Sequence, residues 1–222
     1  MANPSAVHMG ACDLTLGGIG LGYTAGGVKV AYAATTVEIN VDQEDSPIDE
    51  IVTKQTFEVT VPMSEYQLAR FATILPGATL VVNAFKYRGF YSATAAPAYA
   101  DGDAVFYQDR IIQKKAAGTG LDPTLFPATS GWAELPANTK VKMTLSGAAG
   151  ASLRALALPL VLTPRGGTSN DAITVFLAVP KPNLSFGFDK TNPRSYSIVF
   201  TALKDTVNGL VQFGDSSATA SA

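Results

Sequence analysis

One histidine and one cysteine, His8 and Cys12, are all that this 222-residue chain has of the two side chains most used for nucleophilic and metal chemistry. A Ser-His-Asp or Cys-His mechanism would have to use His8, in a small, polar-rich N-terminal arm where hydrogen-bond placement is hard to hold. With Cys12 it makes at most half a metal site. A lone cysteine cannot close an intrachain disulfide and gives no sign of oxidative export. The opening MANPSAVHMGACDLTLGG lacks a basic region followed by an apolar run, so no signal peptide is expected. No stretch reaches the ~18 unbroken apolar residues of a membrane helix. The greasiest segment, residues 153–162, is broken by Arg154 and Pro159. GxSxG, HExxH and phosphate-loop motifs are missing, and the glycines from Gly17 to Gly27 lack the Lys-Ser or Lys-Thr a phosphate loop needs. These absences lead to the expectation of a non-enzymatic protein made in the cytoplasm, with no catalytic residues, cofactor or metal.

Charge is also sparse. Only 15% of residues are charged against 47% hydrophobic, a balance that permits a real core and argues against disorder. The net charge of −2 provides no basic face for a nucleic acid. Its distribution is uneven: residues 1–90 hold 9 acids and 5 bases, residues 91–222 hold 9 acids and 11 bases. One surface of a subunit could therefore meet a different surface of its neighbour.

What is present is mostly strand pattern. Val37, Ile39 and Val41 alternate with Glu38, Asn40 and Asp42, as in a half-buried strand. Six carboxylates and no Lys or Arg lie between Glu38 and Glu50, which reads as an acidic loop. Its Asp42, Glu44, Asp45, Asp49 and Glu50 have oxygens suited to Ca²⁺, but their spacing matches no ligand loop and Pro47 interrupts them. Phe57, Val59 and Val61 alternate next, and Pro62 is expected to end that strand. Ser64 and Gln67 have capping-box spacing, and Leu68, Phe71, Ala72 and Leu75 form an apolar stripe before Pro76-Gly77. Together they predict one short helix packed on the sheet. Further strands are predicted at residues 28–32, 80–85, 141–145, 156–162, 173–179 and 196–203. The predicted class is mainly β: a two-sheet, sandwich or barrel-like domain with one short helix.

Between residues 89 and 136 the composition shifts to Ala, Tyr, Gly and Asp, marking a small inserted β module. The expected organisation is 1–88 and 137–222 as one domain with 89–136 inserted. Residues 103–107 and 110–115 predict a hairpin around Gln108-Asp109, and Trp132 supplies the bulk a unit this small needs for a core.

The order of strand, acidic DQEDSPIDEI loop, strand and LPG-terminated helix resembles the tail tube proteins of long-tailed, siphovirus-type bacteriophages. The resemblance resumes in LPLVLTP at residues 158–164, in ITVF and AVPKP at residues 173–182, and in YSIVFTAL at residues 196–203. It covers roughly residues 10–88 and 137–205. The pattern of Tyr99, Gly102, Asp103, Val105 and Tyr107, with Trp132 and Leu135 later, resembles the small carbohydrate-binding module of chitinases. That module's exposed rings fall here on Ala116 and Ala117, and one strand tyrosine on Ile112, so Tyr99, Tyr107 and Trp132 are expected to serve the insert's core before any glycan.

The tail-tube resemblance implies a virion structural protein whose six-membered rings stack around a DNA-conducting channel. Strands of neighbouring subunits would seal each other's edges there. It implies that the acidic loop projects between rings, toward Lys181, Lys190 and Arg194 of a neighbouring subunit. Implied partners are further copies of the chain, other tail proteins (tape measure, terminator, baseplate or tip) and DNA passing without specific binding. Host glycans reached by an outward-facing insert would be a further partner, and no membrane insertion is implied. The alternatives are a secreted or surface carbohydrate-binding protein and the tube subunit of a contractile injection apparatus.

Overall fold

Apolar segments become strands, and the protein is mainly β, with one α-helix among the described residues. The computed structural model describes residues 11–42, 44–92, 98–115, 131–146, 150, 152–181, 196–215 and 217–218. They fall into two units, Met1–Tyr66 with Gly150–Ala222, and Gln67–Ala149. The second unit encloses the segment 89–136 predicted as an insert.

The first unit is built on β1 (Cys12–Leu16), β2 (Ile19–Gly20), β3 (Lys29–Ile39), β4 (Asp49–Met63), β11 (Leu158–Pro164), β12 (Ile173–Lys181), β13 (Tyr196–Ala202) and β14 (Val211–Phe213). They form one sheet in the order β2-β1-β11-β12-β13-β4-β3, with β14 also on β12, and every pairing is antiparallel. Register puts the core on one face. Leu14 opposes Leu162, Leu16 opposes Leu160, Phe200 opposes Val59 and Ile198 opposes Val61, and all eight are buried. Period-two alternation of large apolar residues produces this directly. At the β1–β2 turn Gly17 and Gly18 both take positive φ, 59° and 81°, the conformation a two-residue hairpin turn demands.

Three predicted boundaries are corrected. β4 runs through Pro62 to Met63, and residues 29–32 and 37–39 belong to a single strand, β3. The strand predicted at residues 156–162 begins at Leu158, because Leu156 closes a 3₁₀ turn.

The second unit contains α1 (Leu68–Ile74), β5 (Ala78–Val82), β6 (Lys86–Phe90), β7 (Asp103–Tyr107), β8 (Arg110–Lys114), β9 (Trp132–Glu134) and β10 (Val141–Leu145). β5 pairs with β10, and β6-β7-β8-β9 make a four-stranded sheet in which β6 and β7 run parallel. Within that sheet Asp103 is buried, accepting from Arg88 Nη1 at 2.9 Å and from the Ala100 N–H at 2.9 Å.

The helix differs from its prediction in both start and face. Gln67 is the N-cap and makes no side-chain capping bond, while Ser64 Oγ donates to the Tyr23 carbonyl at 3.2 Å. The capping box is therefore not formed, because the helix starts at Leu68, one turn later than Ser64 as N-cap would place it. Ala69, Arg70, Phe71 and Ile74 are the buried residues, and α1 packs on β5 and β10 of its own unit. Leu68 and Ala72 are only half-buried. Leu75 is the C-cap, with extended backbone (ψ 120°), so it lies off any helical stripe.

Tyr87 on β6 has a hydroxyl buried without a hydrogen-bond partner among the described residues. Burial pushes its pKa up to about 12. The unfolded chain ionises this group near pH 10, so its contribution is intact below that pH and is lost as pH rises toward 12. Tyr87→Phe is predicted to be neutral or stabilising at neutral pH, because it deletes an unsatisfied polar group. It should also shrink the loss of stability between about pH 9 and about pH 11. Urea melts of both proteins at the two pH values check this, and an undiminished alkaline loss in the variant would contradict it.

Candidate assembly surface

β3 and β4 pair along the whole of β3, from Lys29 opposite Thr60 to Ile39 opposite Asp49. Near the sheet this pair is ordinary structure, with Phe57, Val59 and Val61 buried. Further out it becomes a free ribbon: all of β3 and the first seven residues of β4 are exposed. A register shift between Thr35 and Thr36 leaves Thr53 as the extra residue on β4, a bulge that bends and twists such a ribbon.

Beyond the bulge the ribbon is two-faced. Cross-strand pairs put Val37 and Ile51 side by side on one face, followed by Ile39 and Asp49. The other face carries Thr36 opposite Val52 and Glu38 opposite Glu50, and Thr36 Oγ1 donates to the Glu50 carboxylate. The alternation seen in sequence is real, but among the described residues Val37 (55% exposed) and Ile51 (51%) are left half-open. Like charges directly opposite one another, as at Glu38 and Glu50, weaken an isolated pair.

β3 is also the last strand of its sheet, and among the described residues no strand pairs with its outer edge. Soluble proteins guard such edges with charges, proline or short length. From Val30 to Val37 the sequence VAYAATTV has neither charge nor proline. At the opposite end of the sheet the edge strand β2 is only two residues long.

The predicted acidic residues separate into two groups. Asp42, Glu44 and Asp45 are exposed in the hairpin loop, closed by bonds from the Glu44 N–H to the Val41 carbonyl and from the Ile48 N–H to the Ile39 carbonyl. Asp49 and Glu50 are not loop residues but the first two positions of β4. Lys181 forms an ion pair within its own chain, with Glu58, and its side chain stays half-exposed. Lys190, Arg194 and His8, like Ala116 and Ala117, lie outside the described residues.

In the second unit Trp132 is 3% exposed, in a core with Val105 and Ile112. Tyr91, Tyr99 and Tyr107 pack against that core, partly buried, with Tyr99 edge-on to Trp132 at 5.4 Å between ring centres. Lys114 Nζ lies 5.5 Å over the Trp132 ring and Arg88 lies 5.6 Å over Tyr99. Trp132 is thus a core residue and offers no open stacking face, while the three tyrosines support it with their edges or faces.

Among the described residues no group of three His, Cys, Asp or Glu could hold a metal ion. Cys12 is half-buried, and burial first, then the neighbouring Asp13, raises its pKa, which makes the thiol a poor nucleophile. No described helix is long and apolar enough to cross a membrane. The chain matches no protein-family model, and no curated protein matches it by sequence.

The ribbon was only half legible in the sequence. Its alternation was visible, but Tyr32, Ile51 and Val52 were missed as surface residues, because the spacing of apolar residues does not tell whether a face is covered. The one available signal was length: an uncharged, proline-free strand flanking a long hairpin.

Proposed function

We propose that this chain is a self-assembling structural subunit of the tail-tube kind, polymerising as stacked six-membered rings around a channel that conducts DNA. The observation carrying this reading is the unguarded outer edge of β3 together with the exposed apolar side chains of its ribbon. A monomer with such an edge invites pairing, whereas a subunit whose edge is filled by the next copy does not. Magnitudes favour a closed assembly over a simple pair. Covering the remaining half of Val37, Ile39 and Ile51 contributes roughly 1 kcal/mol per side chain. That falls short of the ~4–15 kcal/mol cost of association. Strand-edge bonds, and a neighbour on each side of every subunit, supply the rest.

In this reading the acidic tip with Asp42, Glu44 and Asp45 faces another subunit, and the four-stranded sheet faces away from the channel. The net charge of −2 leaves DNA phosphate no strong binding surface to stall on. Electron microscopy of the purified protein, paired with sedimentation over a range of concentrations, tests the proposal. Rings or tubes of uniform diameter are expected. A protein that stays monomeric at its highest soluble concentration, with no particles on the grid, would overturn it.

A further inference from the structure

We propose that Arg70 and Asp109 form a latch that holds the four-stranded sheet β6-β7-β8-β9 in one fixed orientation against helix α1, so that this module is a rigid extension and not a tethered domain. The inference does not depend on what the chain assembles into.

The neck between the module and the α1, β5, β10 part of the same unit is narrow. One crossing is the tight turn from β5 to β6, where Ala84 takes a φ of 67° and Val82 bridges Phe85. The other joins β9 to β10, and the two crossings are tied by the Asn83 N–H donating to the Lys140 carbonyl at 2.9 Å. Two strands side by side form a natural hinge axis. A contact away from that axis is needed to stop rotation about it.

Arg70 provides such a contact. It lies on the buried face of α1, only 7% exposed, and its Nη2 donates to the Asp109 carboxylate. Asp109 is in the two-residue turn between β7 and β8. There Gln108 (φ 46°) and Asp109 (φ 62°) both take the left-handed conformation of a tight hairpin turn. Aspartate tolerates that conformation better than most residues. The Asp109 side chain is 65% exposed, so the Coulomb attraction itself is weak. The strength lies at the other end: without the carboxylate, the guanidinium must stay buried without that countercharge or swing out, and either opens the contact.

Trp132 is the protein's only tryptophan and sits in the module's core, so the decay of its fluorescence anisotropy reports how the module itself tumbles. In the unaltered protein no correlation time faster than that of the whole unit Gln67–Ala149 is expected. Asp109→Gly removes the carboxylate without straining the turn, since glycine accepts a positive φ. Arg70→Met removes the guanidinium from the other side while keeping an apolar stem. Both variants should keep the emission wavelength of buried Trp132 and gain a second correlation time, several-fold faster. A fast component already present in the unaltered protein would overturn the latch. So would its absence from both variants while Trp132 stays buried. If Asp109→Gly shifts Trp132 emission to that of exposed tryptophan, the pair holds the module's fold and not its orientation, and the proposal fails.

Discussion

Ile51→Lys is expected to yield a folded subunit that no longer polymerises. In the single chain Ile51 is half-exposed on the ribbon, so the substitution should change subunit stability by no more than about 0.5 kcal/mol, as at other surface positions. In an assembly that covers the Val37, Ile39 and Ile51 face, the same lysine would be buried without a partner, at a cost of several kcal/mol per contact. At about 1.4 kcal/mol per tenfold, the concentration needed for assembly should rise at least about 100-fold. Lysine on a strand near an open edge is also how proteins block unwanted pairing. Ile51→Val keeps the apolar face and should assemble normally. Sedimentation and negative-stain images of the three proteins at matched concentration decide the matter, and tubes from Ile51→Lys at the unaltered protein's concentration would remove the ribbon from the assembly contact.

Phe71→Ala is expected to cost about 3–5 kcal/mol, the usual penalty for emptying a large aromatic from a core. Phe71 is 1% exposed on the face of α1 that carries Ile74. Against a total stability of roughly 5–15 kcal/mol, such a loss is about a fifth or more of what holds a domain folded. Leu75→Ala should cost much less, because Leu75 is half-buried and sits past the end of the helix with extended backbone. Urea unfolding followed through Trp132 fluorescence measures both, since Trp132 and Phe71 belong to the same unit. Equal losses at the two positions would mean that the stripe inferred from sequence spacing, and not the observed face, is the one that packs.

Period-two alternation pointed to β3, β4 past Phe57 and β10, because side-chain direction in a strand follows from backbone geometry and needs no knowledge of neighbours. The hairpin around Gln108-Asp109 and the burial of Trp132 were legible for similar local reasons, turn chemistry and sheer apolar bulk. The tertiary structure decided what depends on distant partners. Ser64 is not the N-cap of α1, which starts at Leu68, and its hydroxyl donates instead to the Tyr23 carbonyl, 41 residues earlier. Arg70 is buried because Asp109, 39 residues later, is there to receive it, which no apolar periodicity reveals. Lys181 is neutralised by Glu58 across 123 residues of sequence. The ribbon is the largest such case. Val37, Ile39 and Ile51 have the pattern of a covered face, and only the packing in three dimensions shows that among the described residues this face is left partly open. Pattern is a local property of one strand, whereas burial is a property of whatever lies against it.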